Sequence, residues 1–164
     1  MFYKITAVCP NITLPDDDEY LEMVGDILDN EQFLSMNQFI QHGTTTTLAH
    51  CLNVSYRSYR LCRRLGLHAR CAARAGLLHD LFLYDWHTHV RDTGRHWHGL
   101  THARAALDNA DKYFDLNKRE RNSILRHMFP LNITPPRYKE GYVIMYYDKV
   151  CGTLETLGRP AYIV

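Results

Sequence analysis

The chain has 164 residues, in which 19 Lys and Arg and 18 Asp and Glu give a formal net charge of +1. This length predicts one domain, and 46% hydrophobic with 23% charged residues is the composition of an ordinary globular protein. A near-neutral chain without a basic tail is not typical of proteins that bind long nucleic acids. Ten histidines are the unusual component.

The sequence predicts no membrane span and no secretory signal. No apolar stretch approaches the roughly 20 residues that cross a bilayer, and the first fifteen residues lack the apolar segment of a secretory signal. The five cysteines are odd in number and form no C-x-x-C pair, which disfavours a disulfide framework and a Cys-rich zinc site. We therefore expect a cytoplasmic protein with reduced thiols and no membrane contact.

Residues 1–43 are predicted to form an N-terminal arm and two short helices that pack on the core. The arm, over 1–15, is expected to be extended. Acidic residues at 16–19 favour the start of the first helix, since negative charge is stabilised at a helix N-terminus. The second helix is expected over 31–41 and ends at His42, followed by Gly43.

Residues 44–157 are predicted to form an all-α core, a single-domain helical bundle, followed by a C-terminal tail over 158–164. The segment 84–100 loses the apolar period of a helix and is expected to be an ordered loop. Thr101 is the expected N-cap of the helix after it, and Asn117 with Glu120 has the spacing of a capping box. The core helices are expected from within 44–47 to 65, and over 69–83, 101–113, 117–130 and 140–157.

Four histidines lie among apolar residues, each on a different predicted helix, whereas the other six fall in the 84–100 loop or at helix ends. Two carboxylates also interrupt apolar runs, which is costly unless they are paired or bound to a metal. A satisfied core residue is the ordinary interpretation of any one such histidine. The whole set favours a transition-metal site inside the bundle, although spacing alone does not identify a reaction. The residues are His50, His79, His102, His127, Asp80 and Asp148.

The order of these residues resembles that of the HD-domain superfamily of metal-dependent phosphohydrolases. The resemblance rests on His50, the doublet His79-Asp80 preceded by AGLL, and Asp148, and it extends over 44–157. His102 and His127 fall between the doublet and the last aspartate, as in the two-metal variant of the superfamily. The stretches THARAALDNA and ILRHMFPL are also similar to those of small bacterial HD proteins.

The resemblance implies a role for each residue. A first metal would be held by His50, His79, Asp80 and Asp148. Asp80 would bridge to a second metal held by His102 and His127, so that two ions activate a bridging water and clamp the phosphoryl oxygens. Fe, Mn, Co and Ni all suit this donor set. His98 is a rival to His102, because the two are four residues apart, but it lies in the loop if Thr101 is the N-cap.

Substrate contacts are less defined by the resemblance. Many HD proteins carry a lysine shortly after the doublet, whereas here residues 81–85 contain none. Lys149, directly after the last ligand, is the substitute candidate for phosphate binding and catalysis. Arg57 and Arg60 are two and three turns beyond His50, where they would reach a pocket rim or, equally, belong to a solvated helix face.

We therefore expect a metal-dependent phosphohydrolase that cleaves a phosphomonoester or phosphoanhydride of a small molecule, with a nucleotide as the first candidate. A di-iron oxygenase with the same fold is the second hypothesis, and the ligand set does not separate the two. A non-catalytic nucleotide-sensing module that keeps the metal cage is the third. Substrate, metal identity, oligomeric state and the role of residues 1–43 stay open at this level.

Overall fold

A computed structural model describes residues 3–85 and 98–159, except for the side chains of 98–100. Within these ranges the chain forms eight α-helices, one 3-10 turn over Met36–Gln38 and a two-stranded antiparallel hairpin. The helices are α1 Lys4–Val8, α2 Asp18–Leu28, α3 Glu31–Ser35, α4 Thr47–Arg64, α5 Ala69–Leu78, α6 His98–Tyr113, α7 Lys118–Arg126 and α8 Lys139–Thr156. The all-α fold class is confirmed.

The centre of the molecule is the pair α4 and α5, which also contacts α2, α7 and α8. Small residues bring the two helix backbones close together, since a Cβ at Gly76 would lie 2.6 Å from the Cα of Ser55. Leu48, Leu52 and Leu77 are fully buried in the core that the helices enclose. All five cysteines are buried free thiols, as expected for reduced cysteines. None of the described helices has the length and apolarity needed to cross a membrane.

The N-terminal segment differs from the sequence prediction in two places. Residues 4–8 are helical rather than extended, because Ile5 and Cys9 are buried in the core and hold the segment against it. The predicted helix over 31–41 ends at Ser35, and the chain continues into β1, Ile40–His42, which pairs with β2, Thr45–Thr46. The division of the chain at residues 43 and 157 stays a prediction.

Three core helices also have other bounds than expected. Helix α7 ends at Arg126, four residues before the expected end at 130. Helix α5 stops at Leu78 instead of 83. Leu81 and Phe82 lie beyond the helix but are buried in the core (0% and 3% exposed), so these apolar residues reflect burial and do not indicate a longer helix. Helix α6 begins at His98, so Thr101 is not its N-cap. The premise that put His98 in a loop is therefore wrong, although its side chain lies outside the described part. Most of the predicted 84–100 loop, residues 86–97, lies outside it too.

The capping signals in the sequence agree with the structure better than the expected helix ends do. Thr46 caps α4 by accepting a hydrogen bond from the amide of Ala49 (3.2 Å). Asn117 and Glu120 form the predicted capping box of α7, in which each side chain accepts a hydrogen bond from the other residue's amide. Both signals depend only on residues within one turn, which is why the sequence contains them.

Candidate metal centre

Six side chains from five parts of the fold meet at the centre of the bundle. His50 comes from α4, His102 from α6 and Asp148 from α8. His79 and His127 occupy the C-caps of α5 and α7 rather than helix interiors. Their ligand atoms form two clusters, within each of which all ligand atoms lie within 4.8 Å of one another, and Asp80 belongs to both. The clusters are His50, His79, Asp80 and Asp148, and Asp80, His102 and His127.

The first cluster is arranged around one oxygen of Asp148. Asp148 Oδ1 lies 3.2 Å from His50 Nε2 and 3.6 Å from His79 Nε2. His79 Nε2 is also 3.5 Å from Asp80 Oδ2. Two imidazole nitrogens and two carboxylates therefore point at a common volume.

The second cluster uses the other oxygen of Asp80. Asp80 Oδ1 lies 3.4 Å from His102 Nε2 and 3.5 Å from His127 Nε2, and these two nitrogens are 3.0 Å apart. Each oxygen of Asp80 thus faces a different cluster, which is the arrangement that a bridging carboxylate requires.

Outer hydrogen bonds fix three of the four imidazoles. His79 Nδ1 donates to the carbonyl of Gly76 (2.8 Å), and His127 Nδ1 donates to that of Ile124 (2.7 Å). His50 Nδ1 donates to Glu155 Oε2 at 2.8 Å. A proton on Nδ1 leaves the Nε2 lone pair directed at the cluster, as in metal-binding histidines.

The donor set fits a divalent transition metal. Among the described residues, buried His79 Nε2 and Asp80 Oδ1 have no hydrogen-bond partner, which is unusual for buried polar atoms. A cation at each cluster would satisfy both atoms. Imidazole nitrogen with carboxylate oxygen suits Fe, Mn, Co or Ni and does not select one of them.

Charges in the centre also favour a cation. Burial alone would raise the pKa of Asp80, but the neighbouring His79, His127 and His102 hold it well below its usual range. His50 and His79 hold the pKa of Asp148 well below its usual value in the same way, again against the effect of burial. Both carboxylates therefore stay ionised inside the protein.

The carboxylates of the centre in turn change the pKa of His50. Burial would lower the pKa of its imidazole, but hydrogen bonds to Asp148 and Glu155 raise it to about 10. Asp148 and Glu155 thus stabilise positive charge at this position, and a metal ion would supply such a charge.

The clusters open into a cavity of about 520 Å³. Asp80, His102, His127 and Asp148 form its floor, and Met128 and Leu157 add apolar surface. Lys149 stands on the wall, with its Nζ 3.5 Å from the carbonyl of His127. The lining thus combines candidate metal ligands, the ammonium group of Lys149 and apolar contacts.

The two arginines predicted at the pocket rim are placed elsewhere. Neither Arg57 nor Arg60 is among the described residues that line the cavity. Arg60 is exposed, and its guanidinium lies 5.8 Å from the ring centre of Tyr56. Arg57 is half-buried on α4. For Arg60 this is the solvated helix face that was the alternative interpretation.

Sequence reasoning missed three residues at the centre. Gln41 and His42 come from β1 and line the cavity, with the His42 ring edge-on to His50 at 5.5 Å. His42 is therefore not the ordinary helix-end residue that was expected. Glu155 could have been found, because it lies two helical turns after Asp148 on the same face. No pattern in the sequence signals Gln41 or His42, since residues 31–41 have helical spacing.

A comparison with protein families agrees with this geometry. The family model for the HD domain matches residues 47–153, which include all six residues of the two clusters. No curated protein and no solved structure gives a match. The chain therefore belongs to the HD-domain family, within the superfamily of metal-dependent phosphohydrolases.

Proposed function

We propose that this chain is a two-metal phosphohydrolase that cleaves a phosphomonoester or phosphoanhydride of a small molecule, with a nucleotide as the first candidate. The observation that carries the proposal is Asp80, whose two oxygens face two buried ligand clusters at the floor of one cavity. The membership of the HD-domain family supports hydrolysis over other chemistry.

The residues divide into two ligand sets. His50, His79, Asp80 and Asp148 would hold one ion, and Asp80, His102 and His127 would hold the other. When bound, two such ions activate a water molecule and neutralise charge on the phosphoryl group. The chain keeps three of the four imidazoles oriented through their Nδ1 hydrogen bonds and keeps Asp80 and Asp148 ionised.

Lys149 would be the phosphate-binding and catalytic cation. It follows the ligand Asp148 directly and lines the same cavity. An ammonium group donates up to three hydrogen bonds and stabilises the negative charge that phosphoryl transfer concentrates on oxygen. Lys149 thus takes the role for which Arg57 and Arg60 are not positioned.

The size of the cavity supports a small substrate. A volume of about 520 Å³ lies within the range of sites that bind small molecules. Met128 and Leu157 would contact the organic part while the floor receives the phosphate.

The test is phosphate release from a panel of nucleotides and simple phosphomonoesters, with protein loaded with Mn²⁺ or Co²⁺. We expect Asp80→Asn to abolish release and Lys149→Met to lower kcat/KM by about 10- to 100-fold, as for the loss of a charged transition-state contact. Lys139→Met, at the exposed start of the same helix, is the matched control. Absence of phosphate release from protein that binds two ions would overturn the proposal, and oxygen consumption by the iron form would favour the oxygenase.

A further inference from the structure

We propose that Gln41 is a positioning residue that holds the Asp80 carboxylate in the orientation in which each oxygen serves a different metal ion. The inference rests on the proposed two-metal site. Gln41 lies outside the matched HD segment, 47–153, so the family match assigns it no role.

The contact between the two side chains is short and buried. Gln41 Nε2 donates a hydrogen bond to Asp80 Oδ2 at 2.6 Å, and Gln41 is only 7% exposed. Thr47 Oγ1 donates to Gln41 Oε1 at 3.1 Å. An ionised carboxylate only accepts hydrogen bonds, so the amide must turn its NH₂ to Asp80 and its oxygen to Thr47.

This bond decides which way the carboxylate is turned. The last torsion of an aspartate is soft, so the side chain alone does not fix its two oxygens. With Oδ2 held by Gln41 on the His79 side, Oδ1 is left facing His102 and His127. Without the amide, the carboxylate can rotate and lose the alignment of one oxygen with its cluster.

The backbone beneath Gln41 is itself fixed. Thr47 N donates to the carbonyl of Phe39 at 2.8 Å, which closes the hairpin around Gln41. Gly43 has φ of +57° and packs against α8, where a Cβ would lie 2.7 Å from the carbonyl oxygen of Glu155. The hairpin therefore has little freedom to shift relative to the helix that carries Asp148.

The experiment measures metal binding by the whole chain and needs no turnover. Gln41→Met keeps the length of the side chain and removes the donor. We expect Mn²⁺ titration of the metal-free protein to show about 10- to 100-fold weaker binding of at least one ion, the usual effect of removing a hydrogen bond to a ligand. Mn²⁺ electron paramagnetic resonance should show loss of the spin-coupled pair. Gln38→Met, the same exchange at an exposed position nearby, should bind as the wild type.

Thr47→Val provides a second, milder variant that removes the donor to Gln41. It should lower the affinity for the same ion by about fivefold, the effect of losing one neutral hydrogen bond. If Gln41→Met does not fold, as judged by circular dichroism of the metal-free protein, Thr47→Val decides. Wild-type affinity and spin coupling in a folded Gln41→Met would overturn the inference. An inactive protein that still shows these binding effects would instead contradict the proposed function alone.

Discussion

Glu155 is a fully buried carboxylate next to a proposed metal ligand, His50. Its side chain has no exposed surface, and its Oε2 accepts the hydrogen bond from His50 Nδ1. Its other oxygen has no hydrogen-bond partner among the described residues, so its interaction is directed at His50. A carboxylate behind an imidazole orients the ring and makes Nε2 a stronger donor to a metal.

Removing the charge of Glu155 should therefore weaken metal binding without removing a ligand. We expect Glu155→Gln to lower the affinity for one ion by about 10-fold, measured by calorimetric titration with Mn²⁺. Glu140→Gln is a matched control, because Glu140 is equally buried on the same helix but accepts from the amide of His68, away from the centre. Equal effects of the two variants would indicate a general loss of stability and not a role at His50.

At the residue scale, the sequence indicates the cluster residues, and helical spacing also points to Glu155, but nothing in the sequence indicates Gln41. His79, Asp80 and Asp148 stand out in sequence because titratable groups interrupt apolar runs, and that conflict has few structural solutions. Their assignment as ligands stays a prediction that metal analysis must test. Gln41 is polar and lies where polar residues are common, so only the three-dimensional contact with Asp80 distinguishes it.

At the scale of elements, one arginine joins three helices. Arg74 on α5 is 3% exposed, and its Nη1 donates to Asp26 Oδ1 on α2 at 2.5 Å. Its Nε lies 3.5 Å from Glu120 Oε1 on α7. Glu120 is also buried, and burial raises the pKa of its carboxyl group. Arg74 therefore supplies the positive charge that offsets the energetic cost of burying the Glu120 carboxylate.

We expect Arg74→Met to lower the free energy of unfolding by about 3–5 kcal/mol, because it leaves a buried carboxylate without its partner. Adding Glu120→Gln should recover part of this loss, since glutamine removes the charge and still serves in a capping box. Urea unfolding of the two single variants and the double variant measures the coupling. Strictly additive losses would show that the two side chains do not interact. Asp26 is largely exposed and is solvated in every variant.

The bounds of helices and strands were predicted correctly where they depend on local contacts and wrongly where they depend on distant ones. The capping box of Asn117 and Glu120 acts within one turn, and the sequence predicts it correctly. For α4 the sequence offers several N-caps within 44–47, and the structure has Thr46 in that position. The end of α5 depends on burial of Leu81 by distant parts of the chain, which local spacing does not report. The hairpin is similar, because Phe33, Met36 and Phe39 have the spacing of a helix although the chain leaves the helix at Ser35.

At the scale of the molecule, metal binding should contribute to stability. Binding to the folded state alone adds about 2.7 kcal/mol when the free ion exceeds its Kd 100-fold. For a chain of this size that corresponds to a rise in Tm of about 5–10 °C. We expect the chelator-treated protein to melt lower by this amount and to recover with Mn²⁺ or Co²⁺.

The control for this shift is Asp80→Asn, which removes the negative charge of the residue shared by both clusters. Its Tm should respond little to added metal. A wild-type Tm that is identical with and without divalent metal would contradict the proposed cage. A response that is preserved in Asp80→Asn would place the binding ions elsewhere.

The spread of the cluster residues along the chain also sets an order for their assembly during synthesis. Asp80, His102 and His127 are all present once residue 127 has left the ribosome. The first cluster needs both His50 and Asp148, and Asp148 is synthesised 98 residues after His50. Closing such a long loop is slow relative to local helix formation. The residues of the second cluster are therefore synthesised before those of the first are complete, and the first cluster forms only when the last long helix, α8, has docked.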